Sequence, residues 1–118
     1  MKHFTSKTQK IGELGESAAC DFLKKNGFVV IERNVANRYG EIDVVAKKGI
    51  TWYFFEVKTG KQGGLINPAE NLTKQKMQKV YVSAQYYVAT KKISHYRIQG
   101  IVVLLSGQGS IVEIFDIE

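Results

Sequence analysis

Charged side chains stand in this chain where a sheet should carry apolar ones. In Gly40–Ala46, "GEIDVVA", and Phe54–Lys58, "FFEVK", runs of β-branched and aromatic residues hold Glu41 and Asp43 two apart, then Glu56 and Lys58 two apart. Side chains alternate faces along a strand, so each pair projects together. Strands joined by a short connection would bring Asp43, Glu56 and Lys58 within a few ångströms. Carboxylates on adjacent rigid strands are hard oxygen donors that suit Mg2+ or Mn2+. A lysine beside them can hold a water or a phosphate oxygen. Ile42, Val44 and Val57 are expected to anchor the opposite face. The plain alternative is an exposed polar edge with an ordinary Glu56–Lys58 pair. Against it, "TWYFFEVK" is polar only at its ends, and its charges gather at the C-terminal end, beside a glycine-rich segment. That placement fits a cleft.

The elements that must position these groups follow from periodicity. Ile11, Leu14, Ala18 and Phe22, with Ala19 and Leu23 beside them, recur at helical spacing, so a helix is expected from about Thr8 to Asn26, stopped by Asn26-Gly27. Glu16 lies on or beside that helix's apolar stripe, with Glu13 about one turn earlier on a similar face; Glu16 is either a surface residue or, next to two strand carboxylates, a candidate outer-sphere metal ligand. Phe28–Arg33 reads as a strand, Asn34–Arg38 as a polar turn, Gly40–Lys47 as a second strand and Ile50–Lys58 as a third, after a Lys48-Gly49 connection. Thr59–Pro68 holds three of the eleven glycines and the single proline, which predicts a loop. Thr73 is a suitable N-cap for a second helix reaching about Thr90, with Met77, Val80, Tyr81, Ala84, Tyr87 and Val88 on one face. Arg97–Leu105 and Ser110–Phe115 are strands joined by "SGQGS". The order is αβββαββ: an α/β fold, one domain over residues 1–118, with a mixed central sheet flanked by helices.

Composition narrows the class of partner. The chain carries a net charge of +6, and between Lys58 and Lys92 seven lysines face one acid, Glu70. The whole excess sits in that third of the chain, which suits a polyanion as well as it suits a solvated helix face. No apolar run approaches the roughly 20 residues that cross a bilayer, so no membrane partner is expected. "MKHFTSKTQK" lacks the apolar segment of a secretory signal. The single cysteine, Cys20, cannot form an internal disulfide, and with two histidines soft ligands are too few for structural zinc. The expectation is a reduced, cytoplasmic protein.

Taken in order, "GELGESAACDFLKKNGF", "IERN", "GEIDVVA", "FFEVKTG", "KQKMQKVYVSAQYYV" and "RIQGIVVL" resemble the YraN-like group of uncharacterised bacterial proteins, within the PD-(D/E)xK, restriction-endonuclease-like nuclease superfamily related to archaeal Holliday junction resolvases. The resemblance implies a restriction-endonuclease-like core and a Mg2+- or Mn2+-dependent endonuclease hydrolysing phosphodiester bonds in DNA, including branched DNA such as Holliday junctions, in repair or recombination. It implies that Asp43 and Glu56 hold the metal and that Lys58 orients or activates the attacking water. Glu16 matches a helix-one glutamate of the resolvase branch, Lys76 the lysine opening the second helix, and Glu41 would assist nearby. Lys61, Lys74, Lys76 and Lys79 would hold the DNA backbone without reading its sequence. Where the family usually has arginine after "EVKT", this chain has Gly60, with Lys61 next. Junction-cleaving relatives are symmetric dimers, and "IVVLLS" and "IVEIF" could supply a homodimer surface or simply core. Two other classes stay open: a binding module that keeps the fold without turnover, and an interaction protein with an acidic partner.

Overall fold

The computed structural model describes residues 6–65 and 67–117. The first five residues, part of the stretch read as lacking a secretory signal, lie outside them. Helix α1 spans Lys7–Lys25. It starts where Ser6 Oγ accepts the N–H of Gln9 and the Gln9 side chain reaches back to Ser6, a reciprocal cap. It ends with Lys24 and Lys25 at the negative end of the helix dipole and Gly27 at φ 87°. Strands β1 (Val29–Asn37), β2 (Gly40–Lys48) and β3 (Thr51–Lys61) follow; then come a 3-10 turn (Pro68–Asn71), helix α2 (Gln78–Lys91), and strands β4 (Tyr96–Ser106) and β5 (Gly109–Asp116).

The five strands lie in the order β1-β2-β3-β4-β5; β3 and β4 run parallel and every other pair is antiparallel. The sheet is therefore mixed, with a helix on either face, as expected for a restriction-endonuclease-like core. Leu23 and Cys20 of α1 pack against Val44, Phe55, Val57 and Ile101. Ala84 and Tyr87 of α2 pack against Ile42, Val45 and Phe54. Phe54 and Phe55 are both fully buried, on opposite faces of one strand. A strand covered on both sides can be apolar at consecutive positions, which explains "YFF".

Boundaries moved where tertiary partners outweighed local polarity. The expected turn at Asn34–Arg38 is mostly strand: β1 stays paired with β2 to Asn37↔Gly40, and the reversal is left to Arg38 and Tyr39. As an edge strand, β1 can afford polar residues on its solvent side. β3 continues to Lys61 because β4 supplies a partner as far as Lys61↔Leu105. Helix α2 begins later than expected. Thr73 Oγ1 does accept the N–H of Lys76, at 3.3 Å, but it caps a turn, and regular helix starts at Gln78. Leu14, assigned to the buried stripe of α1, is 59% exposed. Gly15 takes the buried position beside it: a Cβ there would lie 1.8 Å from Thr59 Oγ1. The missing side chain lets α1 sit directly on the far end of β3.

Candidate active site

The site forms where β2 and β3 part. The two strands are paired from Lys48↔Thr51 to Val44↔Phe55, and the register goes no further. Asp43 and Glu56 are the next residue on each. Asp43 Oδ2 accepts the N–H of Val57 at 2.8 Å, so a side chain takes the place of a backbone acceptor on β2. That bond fixes the carboxylate and stops the ladder from closing over it. Alternation along β2 also slips here. Ile42 and Val45 pack under α2, whereas Val44 and Ala46 pack under α1. The expectation that Ile42, Val44 and Val57 share one face is therefore corrected: Ile42 lies on the other. Across from Asp43, Asn34 adopts φ 54° between the pairs Arg33↔Val44 and Val35↔Ile42.

Glu56 and Lys58 share one side of β3, and Lys58 Nζ lies 3.4 Å from Glu56 Oε1. Burial raises the Glu56 carboxyl, the neighbouring Asp43 charge adds to the rise and Lys58 opposes it, which together leave it at about 7. Asp43 is raised as well, chiefly by burial, while the Val57 N–H and a hydrogen bond from Glu56 oppose the rise. Two carboxyls are thus held together in poor solvent with one ammonium beside them. When both ionise, the pair is short of positive charge, which is the condition a divalent cation satisfies. Among the described residues no group of three or more His, Cys, Asp or Glu side chains is spaced to hold a metal. Asp43 and Glu56 would accordingly hold an ion through two carboxylates, with waters filling its shell, as Mg2+ readily accepts.

Behind this pair runs a polar clamp on α1. Arg33 reaches Glu13 at 3.3 Å and Glu16 at 3.7 Å. The Asn34 amide, oriented to satisfy its neighbours, donates to Glu41 Oε1 at 3.0 Å and Glu16 Oε1 at 3.2 Å. Successive residues of a flat strand point to opposite faces; the positive φ of Asn34 lets both Arg33 and Asn34 address Glu16. Glu16 also borders a cavity of about 410 Å³ with Lys58, Val57, Gly60 and Lys61. Glu41 is exposed, and its charge helps to raise Asp43. Sequence reasoning singled out Glu16 and Glu41 and missed the Arg33-Asn34 pair that positions them. The one available signal was two polar donors at adjacent positions, read as the approach to a turn.

The lysines stand on three different elements. Lys58 and Lys61 also border a second cavity, of about 370 Å³, with Leu65, Pro68 and Asn71. Lys74 and Lys76 are exposed in the turn before α2, where Lys76 Nζ donates to the Glu70 carbonyl at 3.3 Å. Lys76 thus precedes the second helix by two residues rather than opening it. Lys79 lies in the first turn of α2 against the β1–β2 hairpin, its Cβ 3.3 Å from where a Gly40 Cβ would stand. Among the described residues no helix is long and apolar enough to cross a membrane.

Comparison with known proteins points one way. A family model described as "Uncharacterised protein family UPF0102" matches residues 15–103. A UPF0102 protein of Dictyoglomus thermophilum is 36% identical over 107 residues, covering 89% of this chain and 91% of the relative. One from a Sulfurovum species is 46% identical over 83 residues, covering 70% and 72%. One from Clostridium tetani is 37% identical over 92 residues, covering 77% and 75%.

Proposed function

The chain belongs to the uncharacterised protein family UPF0102, and from that membership and the site we propose a metal-dependent nuclease that hydrolyses phosphodiester bonds in DNA, branched DNA such as Holliday junctions included. The observation that carries the reading is the pair Asp43 and Glu56, both pushed up, at the point where two core strands part with Lys58 3.4 Å from Glu56. Burying two carboxyls costs stability, and a fold gains nothing in packing from keeping them there. The resemblance to the PD-(D/E)xK superfamily supports the same assignment of these residues.

Each residue has a part. Asp43, locked by the Val57 amide, is a fixed carboxylate that need not reorganise when charge arrives. Glu56 supplies the second oxygen donor. A divalent ion held by the two would supply Lewis-acid polarisation of the phosphate and a bound water of lowered pKa. Lys58, more exposed than Glu56, can orient the attacking water and offset charge developing on the phosphate oxygens. Glu16, held by Arg33 and Asn34, borders the same cavity as Lys58 and is placed to steer water from the α1 side. Lys61 and the exposed lysines 74, 76 and 79 would hold phosphates through contacts that are indifferent to base sequence. A two-fold dimer would match cuts in two strands. β5, the sheet's edge with Ile111 43% exposed, is the surface that could form it.

The test is cleavage of branched, single-stranded and duplex DNA with Mg2+, Mn2+ or EDTA, beside calorimetric titration with Mn2+. Cleavage with metal but not with EDTA, and Mn2+ binding that Glu56→Ala largely removes, are expected. Equal Mn2+ affinity in wild type and variant would overturn the metal site. Binding of DNA with no cleavage under any condition would leave a binding module.

A further inference from the structure

At the tip of the β1–β2 hairpin two tyrosines stand in the open. Tyr39 is 41% exposed and Tyr86, on α2, is 45% exposed, with ring centroids 5.5 Å apart. The Arg38 guanidinium lies 5.9 Å from the Tyr39 ring centroid. The tip itself is tightly built. Asn37 accepts the N–H of Tyr39 at 2.9 Å with its side-chain oxygen and donates to the Ser83 carbonyl at 3.2 Å with its nitrogen. Gly40, at φ 147°, comes so close to α2 that a Cβ would meet Ser83 Oγ at 3.0 Å. One asparagine and one glycine already fasten the hairpin to the helix. The tyrosine pair adds one tilted ring contact, at an interplanar angle of 56°, to that fastening and still leaves about two-fifths of each residue open to solvent.

We propose that Tyr39 and Tyr86, with Arg38 and Lys79 beside them, form a stacking platform for unpaired bases, and that the DNA this protein acts on has a single strand leaving a duplex next to the cut. The inference rests on the nuclease reading above. Aromatic rings and guanidinium planes accept bases by stacking whatever the sequence, and nearby cations follow the backbone. Arg38 and Lys79 are both exposed and give that charge. The location suits the purpose. Gly40 is three residues from Asp43 along β2, about 10 Å at the rise of a strand. A strand whose bases rest on the platform is therefore within a few nucleotides of the carboxylate pair. Duplex DNA keeps its bases inside and needs only the cations, so the platform favours DNA with unpaired bases.

The two readings are separated by measuring binding in EDTA, where no cleavage intervenes. Fluorescence anisotropy would be used with a single-stranded oligonucleotide and with the duplex of the same sequence. Tyr39→Ala and Tyr86→Ala should each weaken single-strand binding by roughly tenfold while leaving duplex binding within about twofold. Tyr86→Phe, which keeps the ring, should bind the single strand as the wild type does. Unchanged single-strand affinity in both alanine variants, or equal losses on single strand and duplex, would overturn the platform and leave the nuclease reading standing. A wild-type protein that binds neither DNA in EDTA, nor with Ca2+ in place of Mg2+, would overturn both.

Discussion

The two halves of β3 make the sharpest contrast in the molecule. Trp52–Phe55 is paired on both sides, to β2 and to β4, and its Phe54 and Phe55 are fully buried. From Glu56 to Lys61 the strand keeps β4 and has lost its paired partner in β2. The backbone is continuous and one neighbour is unchanged. What changes is a single row of hydrogen bonds, and with it the residues go from aromatic to Glu56, Lys58 and Lys61. A freed ladder exposes backbone donors, and the Val57 N–H is taken by Asp43. The proposed site thus lies where pairing with β2 stops, on a strand that the paired half holds rigid.

If that division is right, damage to the first half should unfold the protein and damage to the second should not. The largest effect belongs to Phe55→Ala, which empties a fully buried position and should cost about 3–5 kcal/mol by chemical denaturation. Lys58→Ala should leave the denaturation midpoint close to wild type yet lower DNA cleavage by roughly 10²–10³-fold, the usual cost of removing one stabilising group at a reacting phosphate. An unfolded Lys58→Ala protein would erase the contrast, because Lys58 would then be a structural partner of Glu56.

How much of this was legible in the sequence follows from the same division. The paired half was plain: "YFF" announces a strand covered on both faces, and the element order and mixed sheet came out as read. Asp43, Glu56 and Lys58 were legible because charge in an apolar strand needs a reason. The faces were not. Period-two reasoning treats β2 as straight, and it cannot see that Asn34 turns to φ 54° or that Ile42 and Val44 part company. The start of α2 was misplaced because Thr73 is a good cap in either setting, and Pro68–Asn71 claims its own turn first. Gly15 shows the limit most clearly. In sequence it is a weak helix residue; only its contact with Thr59 shows why no side chain fits.

A smaller effect separates the halves by pH. Glu56 titrates near 7 in the folded chain against an ordinary value of 4.5. A raised carboxyl means that the folded state holds its proton where the unfolded state has released it. Stability without metal should therefore fall as pH rises from about 4.5 to 7, then level off. Glu56→Gln cannot ionise and should escape that loss, gaining on the order of 1–3 kcal/mol over wild type at pH 8 while equalling it near pH 4. Added Mn2+, which favours the ionised pair, should restore wild-type stability at pH 8 and do nothing for the variant. Parallel pH curves for the two proteins would mean that Glu56 is solvated like a surface residue and that the second half of β3 is not a desolvated site.

The smallest effect concerns the lysines that no strand positions. Lys74 and Lys76 are exposed in the turn before α2, so neither should matter to folding. If they touch phosphates, each contact displaces counterions, and affinity for a four-way junction falls linearly with salt on logarithmic axes. Replacing both with alanine should flatten that slope by about one unit per lost contact, without changing which sequence is bound. The same pair of substitutions should leave the Mn2+ titration untouched, since the ion would be held by Asp43 and Glu56. Lys76 already donates to the Glu70 carbonyl, so its share should be the lesser of the two. A double variant with an unchanged slope would assign Lys74 and Lys76 to solvent, and would leave Lys79 together with Lys58 and Lys61, on the half of β3 that β2 does not pair, as the phosphate contacts.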